Sequence, residues 1–324
     1  TAEEAMEETK LMHGVYETFL RDHLAIPAVP GEKSEAERFP GALNTFTVEA
    51  MVQDRKAIQA GTSHFLGQNF SKAAGIEFEG REGKREHAWT TSWGVSTRLI
   101  GTLIMAHGDD DGIMVPPRIA PSQVVILPVT PKEDTRDAVL EACQNLAKAL
   151  RAQSFHGDPI RVEIDDRDLG GGVKNWEWIK KGVPVRIEIG PRDLEKGSVA
   201  LARRDRAPKD KAFIPADDVA GSITETLQSI QDGLLDRARK FRKDHTVEID
   251  SMDALKAFFA DDKTGGGFAL AHWAGSAEDE DALAKELKIT VRCLPNDPNL
   301  RGGPGTCIGT GKPAEGRVVF AKAY

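Results

Sequence analysis

Cysteine is nearly absent. Three cysteines in 324 residues, Cys143, Cys293 and Cys307, are too few and too scattered for a disulfide framework, which points to a reducing, cytosolic setting. Long apolar runs are also missing: none approaches the ~18–20 residues that a membrane span needs. The opening residues, Thr-Ala-Glu-Glu-Ala-Met-Glu-Glu, hold no basic segment followed by an apolar one, so no signal peptide is visible. There is no excess of positive charge: 43 Lys and Arg stand against 51 Asp and Glu, a net charge of −8. This argues against a general nucleic-acid coat protein, whose affinity comes from many phosphate contacts. The basic patches Lys180-Lys181, Arg203-Arg204-Asp205-Arg206 and 237–243 read, one by one, as solvated faces. No internal repeat, low-complexity tract or nucleophilic triad is present.

The hydrophobic pattern supplies the architecture. Thr1 and Glu4 form a capping-box pattern, and Met12, Val15, Tyr16 and Phe19 follow at helical spacing, which predicts one amphipathic helix over 1–24. A chain that starts on Thr1 and runs straight into a helix is expected to be a piece of something longer. After Pro27 and Pro30 a polar loop runs to Pro40. Strands are expected at 45–52, 57–64 and 89–98, with a buried helix over 99–107, which suggests an antiparallel sheet. The Pro-Pro-Arg-Ile-Ala-Pro segment 116–121 marks a boundary. Beyond it, strands at 123–128, 161–164, 183–189 and 198–202 alternate with helices at 131–154 and 173–181, the pattern of a mostly parallel α/β sheet. Val139, Leu140, Cys143, Leu146 and Leu150 define the inner face of the first of these helices. A long helix at about 217–243 leads to a small α+β unit with helices at 251–260 and 279–287 and strands at 268–272, 290–294 and 318–324.

Several residue groups could carry chemistry. Arg98, in Thr91-Ser-Trp-Gly-Val-Ser-Thr-Arg-Leu-Ile-Gly101, offers a permanently charged planar fork suited to phosphate. Spacing alone makes it an ordinary surface ion pair. Gln59, Thr62 and His64 are expected on one face of a strand, where an amide, a hydroxyl and an imidazole could orient a small polar molecule. The acids of His107-Gly-Asp-Asp-Asp111 read as a turn rather than a metal site. The glycine-rich 302–312 stretch fails as a phosphate loop, because Thr306 and Pro313 break the pattern, and is read as a flexible loop. Cys293 and Cys307 lack Cys-x-x-Cys partners for zinc, and Cys143 belongs to an apolar helix face. Lys174, Arg186 and Arg192, interleaved with Trp176 and Trp178, read equally well as an RNA-base surface or as a packed helix.

In their order, Ala57-Ile-Gln-Ala-Gly-Thr-Ser-His64 through Phe70, Thr91–Gly101, His107–Gly112, Val115-Pro-Pro-Arg118, Asp165-Asp-Arg-Asp168, Lys181–Arg186, Ile189-Gly-Pro-Arg-Asp193 and the final Val-Val-Phe-Ala-Lys-Ala-Tyr324 resemble prolyl-tRNA synthetase of the archaeal/eukaryote-like type with a C-terminal extension. The resemblance covers essentially the whole chain. It implies α+β and α/β multidomain folding: part of a class II antiparallel sheet with motif 3 over 1–118, an α/β anticodon-binding domain over 119–215, and a linker helix with a small α+β C-terminal domain over 216–324. The implied activity is ATP-dependent attachment of proline to tRNA(Pro) through a prolyl-adenylate. Arg98 would be the catalytic contact to the ATP phosphates. Gln59, Thr62 and Ser96 would contact ATP or its Mg²⁺, and His64 would line the proline pocket. Arg186 and Arg192 would read anticodon bases, since an arginine can grip a guanine edge through two bonds. L-proline, ATP and tRNA(Pro) are the implied partners, in a cytoplasmic homodimer without membrane attachment.

The departures are equally specific. Motifs 1 and 2 are not found in the sequence, which implies that this piece alone is inactive. Many relatives hold zinc with four cysteines near the C-terminus; here only Cys307 matches, while Trp273, Glu278 and Thr310 stand near the other places, so the fold is expected without metal. Gly170-Gly-Gly172 is shorter than the usual loop, and Ile179 stands where some relatives carry an acid. The alternative reading is a non-catalytic, tRNA-binding accessory protein derived from a class II synthetase.

Overall fold

Thr1 Oγ1 accepts from the Glu4 N–H at 3.2 Å and opens helix α1 (Ala2–Thr18). In this computed structural model, which describes residues 1–130, 133–260 and 266–324 (for Glu133 the backbone only), α1 passes into a π-helical turn, Phe19–His23. The face that packs differs from the apolar stripe of the sequence. Thr9, His13, Tyr16 and Leu20 are buried, whereas Val15 is exposed. Polar anchoring accounts for this: the His13 Nε2–H donates to Thr47 O (2.7 Å), and Ser63 Oγ donates to Thr9 O (2.7 Å). These bonds satisfy groups that burial would otherwise leave unpaired.

Two compact units make up the chain. The first comprises Thr1–Arg21, Ile26–Ala106 and Arg239–Tyr324, the second Asp22–Ala25 and His107–Ala238. The first part of unit one adds strands β1 (Ala28–Glu32), β2 (Asn44–Met51), β3 (Ala57–Gly67) and β4 (Thr90–Gly94) and helix α2 (Arg98–His107). The helix is amphipathic rather than buried, with Ile100 63% exposed. Unit two holds β5 (Val124–Pro128), α3 (Arg136–Arg151), β6 (Val162–Ile164), α4 (Gly171–Lys180), β7 (Val185–Ile189), β8 (Ser198–Arg203) and β9 (Lys211–Pro215), and then most of α5 (Ala216–Asp244). Pro131 and Lys132, at the start of the helix expected over 131–154, lie outside the described residues. Unit one resumes with β10 (Thr246–Glu248), β11 (Phe268–His272), β12 (Thr290–Pro295) and β13 (Arg317–Ala321).

The sheet of unit one has eight strands in the order β10-β11-β13-β12-β1-β2-β3-β4. Every pair is antiparallel except β10·β11. The late strands thus continue the early sheet through β12·β1, where a side chain on Gly31 would put its Cβ 2.5 Å from Leu294 O. Beside this seam lies a fully buried carboxylate, Glu49. Lys33 Nζ and Thr47 Oγ1 donate to its Oε1 (2.9 and 2.8 Å), and Arg292 Nε and Nη2 donate to its Oε2 (3.0 and 2.9 Å). Burial alone would raise the Glu49 carboxyl, but the two cations hold it below the usual carboxylate range.

The five-stranded sheet of unit two runs β6-β5-β7-β8-β9. Only β6·β5 and β5·β7 are parallel; β7·β8 and β8·β9 are antiparallel. The mostly parallel sheet expected from the sequence therefore becomes a mixed one. The connections after β7 are too short for the crossover that a parallel pair requires. One face is covered by α3 and α5, whose Val139, Cys143, Leu150, Val219, Ile223 and Leu227 join the buried core. No described helix is long and apolar enough to cross a membrane.

His107 provides a pH test of unit two. It is buried, its Nε2–H donates to Leu24 O (2.9 Å), and its Nδ1 has no partner. Burial, reinforced by Arg237, lowers its pKa from 6.5 to about 4. Between these values the unfolded chain binds a proton that the folded chain refuses, so stability rises with pH there. Stability is expected to be complete above about pH 6.5 and to fall by up to about 3 kcal/mol as the pH drops towards 4. Urea unfolding across that range should show the slope, and His107→Gln should flatten it. An unchanged slope in the variant would assign the effect to other groups.

Candidate functional site

Unit one gathers the first set of candidate residues. Strict alternation along β3 would put Thr62 and His64 on one face and Gln59 on the other, because 59 and 62 are an odd number of residues apart. The expectation that period two unites all three fails on that count. A β-bulge brings them together instead: Gly61 pairs with Val48 and Gln59 with Glu49, leaving Ala60 as an extra residue. Gln59, Thr62 and His64 are then the half-buried positions of an otherwise buried strand. Ser63 points the other way, to α1. Gly61 fits closely here, since a Cβ would come within 3.2 Å of the Tyr16 and Val95 side chains, which would have to give way.

Arg98 is the first residue of α2, and Ser96 Oγ accepts from its backbone N–H at 3.3 Å. Both residues are exposed. The Arg98 guanidinium lies over β3, with Nη1 3.5 Å from Gln59 O, and among the described residues no carboxylate pairs with it. The surface ion pair that spacing suggested is therefore not formed. An unpaired guanidinium at a helix N-terminus, above a face of neutral polar groups, is a place where a polyanion gains favourable electrostatics.

His64 forms the other end of this face. Its Nδ1 is 3.0 Å from Thr45 Oγ1, and its ring lies 4.9 Å from the ring of Phe39, which stacks on Phe70 at 6.3 Å. Burial lowers its pKa below the ordinary histidine value, so the imidazole is neutral near pH 7. Sequence reading missed Phe39 and Thr45; the register of β2 on β3, which places Thr45 opposite His64, is what reveals them.

Unit two separates the second set. Lys174 is buried, and its Nζ donates to the carbonyls of Asp165 (3.1 Å), Arg167 (3.3 Å) and Pro128 (3.5 Å). Trp178 is buried as well, its N–H given to Asp165 Oδ2 at 2.8 Å. Arg167 meets both oxygens of Asp165 at 2.8 Å and with them holds that carboxyl at about 2. These groups build the loop. Arg186 is only 1% exposed; its Nε donates to Asn175 Oδ1 (2.8 Å) and its Nη1 has no partner. Burial, with Arg204 nearby, lowers its pKa to about 10. A two-bond grip on a guanine edge is not open to it in this conformation. Arg192 and Trp176 are exposed, whereas Ile179 is buried in the core.

The C-terminal ends of β5 and β6 instead border a pocket of about 390 Å³, lined by Thr130, Arg136, Asp166, Asp168, Gly170 and Lys174 among others. It lies at the carboxyl ends of adjacent parallel strands, the edge of an α/β sheet where ligands bind. Arg136 makes no ion pair among the described residues. It is a candidate missed in the sequence, where its only signal is its place at the start of the helix after a buried strand.

The region around Cys307 is not an open loop. Gly305–Thr306 pairs with Pro313–Ala314, and the Cys307 N–H donates to Lys312 O at 2.8 Å. Trp273 is buried edge-on to Phe320, at 5.4 Å and 88°. Among the described residues no group of three or more His, Cys, Asp or Glu side chains is placed to hold a metal.

Comparison with known proteins places these features. Residues 123–226 match the family model described as anticodon binding domain, and residues 258–324 match that described as prolyl-tRNA synthetase, C-terminal. The proline--tRNA ligase of Akkermansia muciniphila is 58% identical over 324 residues, covering 100% of this chain and 64% of the relative. Proline--tRNA ligase 2 of Anaeromyxobacter dehalogenans is 53% identical over 333 residues, covering 100% of this chain and 65% of the relative. The chain thus spans slightly less than two thirds of the length of these curated relatives. A crystal structure of prolyl-tRNA synthetase from Cryptosporidium parvum, complexed with L-proline and AMP, superimposes with a TM-score of 0.89 at 34% identity, covering 100% of this chain and 67% of that one. On the evidence of sequence, fold and matched length together, the chain belongs to the prolyl-tRNA synthetase family.

Proposed function

We propose that this chain is part of a proline--tRNA ligase that activates L-proline with ATP and transfers it to tRNA(Pro). The observation that carries the proposal is the bulged strand: Gln59, Thr62 and His64 share one half-buried face, and the Arg98 guanidinium, with no carboxylate partner among the described residues, stands over it. In the reaction a proline carboxylate oxygen attacks the α-phosphorus of ATP, the new P–O bond forms, and the α–β bridging bond breaks to release pyrophosphate. Arg98 would hold the phosphate charge that grows in this step. Gln59, Thr62 and Ser96 would orient ATP; their neutral oxygens suit a Mg²⁺ that arrives with the triphosphate and is balanced by it. Positioning and charge are sufficient, without a nucleophilic side chain.

For the tRNA, residues 1–118 would serve catalysis, 119–215 anticodon reading and 216–324 the linker helix and C-terminal domain. The pocket at the ends of β5 and β6 suits a guanine: Asp166 and Asp168 can accept from its N1–H and N2–H, and Arg136 can donate to N7 and O6. Arg192 would add an exposed cation, and Arg186 would contribute only after a side-chain movement. The complete enzyme is proposed to be a cytoplasmic homodimer that holds no zinc. The accessory-protein alternative, catalytically silent but tRNA-binding, is less favoured, because a silent pocket has no need of Gln59, Thr62, His64 and Arg98 together. ATP–pyrophosphate exchange by the complete protein separates the two. Exchange dependent on proline is expected; no exchange, or exchange with histidine, threonine or glycine instead, would overturn the proposal.

A further inference from the structure

We infer that Thr45 holds His64 in one neutral tautomer, with the proton on Nε2, so that the imidazole meets its ligand as a hydrogen-bond donor. Thr45 on β2 lies directly opposite His64 on β3 and is 2% exposed. Its Oγ1 accepts from the Phe39 N–H at 3.1 Å and stands 3.0 Å from His64 Nδ1. A hydroxyl has one proton and two lone pairs. Phe39 occupies one lone pair. Were the imidazole proton on Nδ1, it would occupy the second, and the hydroxyl proton would have no acceptor in a place closed to water. Among the described residues Oγ1 has no third partner, and a buried donor left without a partner is costly. With the proton on Nε2 every group is satisfied: Oγ1 accepts from Phe39 and donates to Nδ1.

His64 Nε2 makes no hydrogen bond to any described residue, and it is not sealed from solvent. It therefore remains free on the face shared with Gln59 and Thr62. The Phe39 ring packs against the imidazole and restrains its rotation. Burial keeps the ring neutral, so the two nitrogens have distinct roles.

The consequence rests on the proline reading above. Nε2–H can approach only an acceptor, which in proline is a carboxylate oxygen, retained as the acyl oxygen after adenylation. It cannot accept from the secondary ammonium, which other groups must meet. Thr45 is thus a positioning residue for substrate orientation, and His64 selects the oxygen-bearing end of the ligand.

Long-range ¹H–¹⁵N correlation spectra of the ¹⁵N-histidine-labelled protein at neutral pH test the tautomer, with His64 assigned by difference against His64→Gln. The expected pattern is a protonated Nε2 and an acceptor Nδ1. A protonated Nδ1, or exchange between both forms, would overturn the inference. Thr45→Val should convert the single form to a mixture, and Thr45→Ser should restore it. In the complete enzyme Thr45→Val should raise KM for proline about tenfold, with KM for ATP within about twofold, and Thr45→Ser should recover it. A serine variant as impaired as the valine variant would reduce Thr45 to packing and overturn the substrate-orienting role. Absence of proline-dependent exchange in the wild-type complete enzyme would overturn the functional reading instead, while the tautomer spectrum still decides what Thr45 does.

Discussion

Replacing Arg98 by alanine in the complete enzyme is expected to slow proline-dependent ATP–pyrophosphate exchange by about 100-fold or more. That is the scale for removing one preorganised contact to charge that develops in a transition state. Arg98 has no carboxylate partner among the described residues, and its side-chain contact to Gln59 O is a long 3.5 Å. Its removal therefore leaves no buried group stranded and should not disturb folding. Arg98→Lys should retain part of the rate, because the charge remains while the planar fork is lost. If the alanine variant exchanges at near-normal rates with an unchanged KM for ATP, the phosphate contact is refuted. A rate loss accompanied by a lowered melting temperature would instead show that Arg98 supports the fold.

The largest stability effect is expected at Glu49. Glu49→Gln removes the carboxylate that pairs with two buried cations, Lys33 and Arg292. Breaking a buried ion pair from one side costs about 3–5 kcal/mol, because the remaining charge stays uncompensated. Replacing the whole group with apolar side chains (Lys33→Met, Glu49→Leu and Arg292→Met together) should cost much less, since no charge is then left in the interior. Urea unfolding of the single and triple variants measures both. A loss below about 1 kcal/mol for Glu49→Gln would mean that water reaches the cations. The carboxylate joins β2 to β12 across the β12·β1 seam, so hydrogen exchange in Thr290–Pro295 should rise in the single variant.

The legible parts of the fold are those with a strong local cause. Cys143, Leu146 and Leu150 recur at helical spacing and are buried as expected. β5, a continuous apolar run, is buried along its whole length. Where local signals were weak or pointed elsewhere, the structure departed. Pro30 suggested a break, yet β1 passes through it: Pro30 sits at the end of the pairing with β12, where its carbonyl accepts from the Asn296 N–H at 2.9 Å and the missing proline N–H interrupts no interior ladder bond. β9, with Phe213 exposed, has no buried run to reveal it and exists because β8 offers it an edge. In α1 the residues that pack are a threonine, a histidine and a tyrosine, and the first two are held by hydrogen bonds to β3 and β2 that no periodicity encodes.

The candidate site divides in the same way. Its residue types were legible: a phosphate-suited arginine at Arg98, and neutral polar groups at Gln59, Thr62 and His64. Those identities are properties of the side chains and need no fold. Their union on one face was not, because it depends on an extra residue at Ala60 that only pairing with β2 exposes. Arg186 shows the reverse case. The sequence offers a cation, and the tertiary structure buries it beside Asn175 and Arg204, while Arg136 lines a pocket instead. Sequence by itself determined which chemistries are available and which strongly patterned segments, such as α3 and β5, must be helix or strand. Register, the bulge and the burial of individual charges were decided only by the tertiary structure, because each depends on contacts between residues far apart in the chain.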